Sequence, residues 1–102
     1  MRDLIDSFLN HLVVERGFSS NTLDAYRNDL YQLLTELEVG VVGATSTVDW
    51  RMVDLDVLSA YVEKLRDDKG YREATVARKV ASIKSFFGFL IEEGAIENDP
   101  TE

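Results

Sequence analysis

The sequence predicts an all-α domain, a single bundle of four main helices arranged as two crossed helical hairpins. Three features lead there. Apolar residues recur at three- and four-residue steps in four separate segments, which is the stripe of an amphipathic helix. Gly17, Gly70 and Gly94 end three of those segments, where a helix closes through a left-handed residue. The second half then echoes the first: Gly70 stands in the place of Gly17, Tyr71 of Phe18, Thr75 of Thr22 and Ile83 of Leu30. Any two amphipathic hairpins share some such register, and with or without a true repeat two hairpins make an all-helical domain.

The first helix runs from about Leu4 to Arg16, with Leu4, Ile5, Phe8, Leu9 and Leu12 on one stripe. Gly17 stops it, Arg16 suits the negative end of its dipole, and Phe18 folds back on the last turn. Ser19 or Ser20 caps a second helix that reaches about Glu38 on the stripe Leu23, Tyr26, Leu30, Leu33 and Leu37. Neither serine completes a capping box, since the residues three positions on are Thr22 and Leu23. From Val39 to Val53 the periodicity fails and Gly40, Gly43, Thr45, Ser46 and Thr47 accumulate, giving a connecting loop anchored in the core by Trp50. Asp54 caps a third helix built on Val57, Leu58, Tyr61, Val62 and Leu65 and ended by Gly70. The fourth carries Val76, Val80, Ile83, Phe87 and Leu90 and terminates at Gly94. Residues 98–102, which contain the only proline, read as the start of a linker behind a domain of residues 1–97.

A chain of 102 residues with 45% hydrophobic content fits one domain, and no segment is apolar enough for a bilayer span or a secretory signal. This implies a soluble, cytoplasmic protein. Without cysteine there are no disulfides or thiolate metal sites, and the single histidine, His11, supplies no imidazole set, so neither metal nor cofactor is expected. Glu92, Glu93, Glu97, Asp99 and Glu102 lack the alternating oxygen ligands of a calcium loop and read as a solvated acidic end. No cleft of convergent acid and base groups supports a self-contained enzyme. The net charge of -8 suits a helical protein–protein interaction module whose partner is apolar or basic. The charge is unevenly placed, however. From Gly70 to Leu90, Arg72, Arg78, Lys79 and Lys84 are opposed by Glu73 alone.

Two stretches carry a family resemblance. Ser20-Asn21-Thr22-Leu23-Asp24-Ala25-Tyr26-Arg27-Asn28-Asp29-Leu30 resembles the second helix of the core-binding, SAM-like domain of tyrosine recombinases of the Xer and phage-integrase type. Thr75 through Leu90, with its Phe86-Phe87 pair, looks like that family's fourth helix, and Trp50 and Asn98-Asp99-Pro100 also match. The likeness thus covers nearly the whole chain. Two departures stand out: Arg72-Glu73 replaces the capping serine common before the fourth helix, and Asp99 separates Asn98 from Pro100.

The resemblance implies a DNA-binding module of a site-specific recombinase or integrase, gripping duplex DNA as one half of a clamp for DNA integration or recombination. It implies a catalytic domain beyond Pro100, carrying arginines, a histidine and a tyrosine nucleophile, as the other half. His11, among structural residues of the first helix, does not stand in for that histidine. The chain itself is then a non-catalytic monomer, whose partners are duplex DNA, the missing catalytic domain and other recombinase protomers on the DNA. In this family the second and fourth helices approach the major groove, so their outward faces should carry donors. With Val76, Val80, Ile83 and Phe87 turned inward, Thr75, Arg78, Lys79 and Ser82 lie near the opposite side of the fourth helix. Arginine offers a bidentate fork to guanine or phosphate, and the others suit phosphate oxygens or single base contacts. The second helix offers Asn21, Thr22 and Asn28, with Arg27 beside the stripe, and its positive end can receive a phosphate near Ser20 and Thr22. Asp24 and Asp29 oppose this, and Ser20 and Thr22 serve equally well as plain caps. Tyr26, Phe86, Phe87 and Phe89 are assigned to packing rather than base stacking.

Overall fold

The apolar steps become helices where the sequence places them. The computed structural model describes residues 2–40, 50–67 and 69–101. Among these there are four α-helices and no strand: α1 (Arg2–Arg16), α2 (Ser20–Gly40), α3 (Leu55–Asp67) and α4 (Glu73–Glu92), with a 3₁₀ turn at Trp50–Met52. Gly43, Thr45, Ser46 and Thr47 of the expected loop, and Glu102 of the acidic end, lie outside the described residues. The chain divides into two units, Met1–Val48 and Asp49–Glu102. In the first α1 packs on α2, and in the second α3 packs on α4, so each unit is a helical hairpin.

In the first hairpin α1 buries Ile5, Phe8, Leu9 and Leu12 while α2 buries Leu30, Leu33 and Leu34. Removing such side chains from water supplies roughly 1.5–3 kcal/mol apiece before the cost of ordering them. Tyr26 is half-buried, its ring edge-on to Phe8 at 6.0 Å and 5.7 Å from Phe18. Tyr26 is therefore a packing residue, and Phe18 meets the ring of α2. Ser19, rather than Ser20, caps α2: its Oγ accepts from the Thr22 amide at 3.3 Å and lies 3.0 Å from Thr22 Oγ1.

In the second hairpin Asp54 caps α3, its Oδ1 accepting from the Val57 amide at 2.9 Å. Trp50 is 1% exposed and stands edge-on to Phe86 at 5.0 Å and Phe87 at 5.8 Å. Edge-to-face pairs of this kind favour fixed ring positions over a loose apolar cluster. The aromatic run is thus core, and the 3₁₀ turn is held against α4. Gly94, at φ 72°, closes α4: Ala95 donates to Leu90 O at 2.9 Å and Gly94 to Ile91 O at 3.0 Å. Packing continues past Glu97, because Pro100 is buried and Asp99 Oδ1 accepts from the Thr101 amide at 2.8 Å and hydroxyl at 2.6 Å.

The echo between the halves extends to the backbone. Gly17 and Gly70 both adopt φ 64°. The next residue in each case reaches back to a buried leucine carbonyl, Phe18 to Leu12 at 3.2 Å and Tyr71 to Leu65 at 3.1 Å. One difference follows from sequence: where Ser19 caps α2, Arg72 precedes α4 with φ -68° and ψ 154° and gives it no side-chain cap.

Candidate nucleic-acid interface

The fourth helix does not present the face the sequence suggests. Arg78 is exposed and Thr75 half-buried, but Lys79 and Ser82 are buried, at 2% and 3% exposure. Helical geometry gives the reason. At about 100° per residue, the buried Val76, Ile83, Phe87 and Leu90 share one flank, and Lys79, Ser82, Phe86 and Phe89 a second flank beside it. Together they form an arc of roughly 160° with Lys79 near its centre. Ser82 turns its hydroxyl to Arg78 O at 3.2 Å, the back-bond open to a serine inside a helix. The Lys79 ammonium lies over the Tyr71 ring, 5.3 Å from its centroid. Neither side chain is displayed for a groove, and the expectation that they are is corrected.

What remains exposed near the start of α4 is a pair of guanidinium groups, Arg72 and Arg78, beside helix amides that Arg72 leaves without a side-chain cap. Both the cations and the positive end of the helix dipole favour an anion there. Glu73 moderates this, but it is tied to Arg66 of α3 through a two-pronged contact of 3.1 Å and 3.3 Å. Arg72 is not among the sequence-predicted site residues, although the sequence places it in the basic stretch from Gly70 to Leu90 and at a poor cap position. Its signal was that very defect, since an arginine at a cap position leaves both its charge and the helix amides available.

The surface of α2 matches expectation in exposure and departs from it in charge. Asn21, Thr22, Arg27 and Asn28 are all exposed. Thr22 is engaged with Ser19, and Arg27 holds Asp24 at 2.7 Å with both side chains half or more exposed. Such an exposed pair is worth little to stability and exchanges readily for another anion. Asp29 is buried, so its carboxylate is not displayed beside Asn28. The α2 residues belong to the first hairpin and Arg72, Thr75 and Arg78 to the second. Separately, α3 and α4 flank a groove of about 450 Å³ lined by Leu58, Val62, Val80, Ile83 and Lys84, with Leu55 half-exposed at its edge. Among the described residues no group of carboxylates and histidines can hold a metal, and no helix is long and apolar enough to cross a membrane.

Residues 5–94 match the family model of the phage integrase N-terminal SAM-like domain. The chain belongs to this family. The SAM-like domain is 42% identical over all 102 residues to the tyrosine recombinase XerC of Roseiflexus sp. (strain RS-1), covering 31% of that protein. It is 36% identical over 100 residues to the tyrosine recombinase XerD of Listeria monocytogenes serotype 4b (strain F2365), or 98% of this chain and 32% of that one. With XerC of Pseudomonas aeruginosa (strain LESB58) it shares 33% over 100 residues, 98% of this chain and 31% of that one. The SAM-like domain thus spans about a third of the length of these relatives, corresponding to their N-terminal domain and not to their catalytic portion. No solved structure matches it at a significant level.

Proposed function

We propose that this SAM-like domain is the DNA-gripping half of a site-specific tyrosine recombinase, holding duplex DNA as one jaw of a clamp during integration or recombination. The observation that carries the reading is the match of residues 5–94 to the phage-integrase family together with 42% identity to a tyrosine recombinase across the full chain. The contacts fall to Arg72, Thr75 and Arg78 on the second hairpin and to Asn21, Thr22, Arg27 and Asn28 on the first. Arg78 and Arg72 supply forks for phosphate or guanine, and the amides at the start of α4 add neutral donors to the same anion. The remaining partners are the catalytic domain of the parent recombinase and further protomers on the DNA, with the cytoplasm as the place of action.

A net charge of -8 opposes this grip at long range, so binding rests on a few local contacts, is weak, and falls with salt in proportion to the number of phosphates they neutralise. Titration of a fluorescent duplex at low salt tests it. The wild type should bind, and Arg78→Ala should weaken binding and lower the exponent of its salt dependence by about one, one phosphate contact being lost. Binding that Arg78→Ala leaves untouched contradicts the site. A second reading, a helical interaction module, is favoured by the acidic balance and by Met52 and Leu55, 77% and 50% exposed. It gains if the wild type ignores DNA at low salt.

A further inference from the structure

Lys79 sits in an unusual place for a cation, and the echo between the hairpins explains what it does there. Numbered from its cap, α2 has Phe18 just before the cap residue Ser19 and Tyr26 seven positions into the helix. Their rings lie 5.7 Å apart. The same two positions about α4 are Tyr71, just before Arg72, and Lys79. There the ammonium stands 5.3 Å from the ring centroid. Each hairpin therefore closes its corner with a staple from the residue ahead of the helix to the side chain two turns along. It is ring against ring in the first hairpin and cation over ring in the second.

The second staple has more to hold. Ser19 fixes the start of α2 with a side-chain hydrogen bond, whereas α4 has none from Arg72. A cap of that kind contributes roughly 1 kcal/mol, and a partly desolvated cation–π contact is of similar size. The Tyr71 amide is itself bound to Leu65 O at 3.1 Å, so the ring is fixed by the corner before the lysine reaches it.

We infer that Lys79 is a positioning residue: with Tyr71 it forms a cation–π staple that takes the place of the missing cap of α4 and holds Arg72 and Arg78 where DNA meets them. The DNA half of this inference rests on the function proposed above. Lys79 acts on DNA through those arginines and makes no phosphate contact of its own.

Duplex titrations over a range of salt, run alongside thermal unfolding of the same 102-residue chain, separate the possibilities. Lys79→Met should bind about threefold to tenfold more weakly, the span of a lost cation–π contact, with the salt exponent of the wild type. Tyr71→Leu should show the same loss, and the double variant no more than either. Lys79→Arg and Tyr71→Phe, which keep the cation and the ring, should recover wild-type affinity. An exponent lowered by about one in Lys79→Met makes the lysine a phosphate ligand and overturns the inference. Additive losses in the double variant, or unchanged affinity in Lys79→Met, overturn it equally. If Lys79→Met does not fold, Tyr71→Leu against Lys79→Arg decides: loss in the first and recovery in the second uphold the staple, and any other pattern refutes it. A wild type that fails to bind DNA refutes the DNA reading alone, and non-additive shifts in unfolding temperature still decide whether the staple exists.

Discussion

Asp54, Gly70 and Lys79 show how single residues carry this structure. Asp54 accepts from the Val57 amide at 2.9 Å, and its loss in Asp54→Ala should cost about 1 kcal/mol. In a domain of this size that lowers the melting temperature by roughly 4–8 °C, read by circular dichroism, with the salt exponent for DNA unchanged. Gly70 has φ 64° and nothing within 4 Å of where a Cβ would stand, so Gly70→Ala meets only backbone strain, of order 1–2 kcal/mol. Chemical denaturation measures it, and Gly70→Asn should cost less, since asparagine tolerates this conformation. Both residues were legible in the sequence because capping and left-handed closure are local rules. Lys79 and Ser82 were not. A stripe drawn through Val76, Val80, Ile83 and Phe87 puts them outside, yet Phe86 and Phe89 also read as core, and stepping back from Phe86 by four and seven residues reaches Ser82 and Lys79. Against that spacing stands the residue type, since lysine is among the side chains least often fully buried.

All four helices were readable, since each carries an apolar stripe and three end in glycine, and their observed ends shift by only a turn or less. The register of α4 against the core was harder, because a wide apolar arc has no sharp edge in sequence. Under the proposed grip on DNA, function and stability compete at its start. Arg72 keeps a cation at a position where serine would bond the helix amides. Arg72→Ser should therefore raise the unfolding free energy by about 0.5–1 kcal/mol while weakening duplex binding and lowering its salt exponent by about one. Calorimetry and titration of the one variant read both effects, and movement of stability and affinity in the same direction contradicts this view of the helix start.

Charge and length set the context for the chain as a whole. At -8 it repels a polyanion at a distance, so the proposed grip rests on a few exposed donors held in place. Spanning about a third of relatives such as the Roseiflexus recombinase, it corresponds to their N-terminal SAM-like domain. Family and helix content were legible from the pattern of the whole chain, whereas the contact surface depends on side-chain burial, which no linear pattern displays. Amide chemical shifts of the isotopically labelled chain, followed by NMR as an unlabelled duplex is added at low salt, bear on that surface residue by residue. The shifts should concentrate at Asn21 to Asn28 and at Arg72 to Arg78. Shifts confined to the groove of Leu55, Val62 and Lys84, or no shifts at all, would show that these helices do not hold DNA.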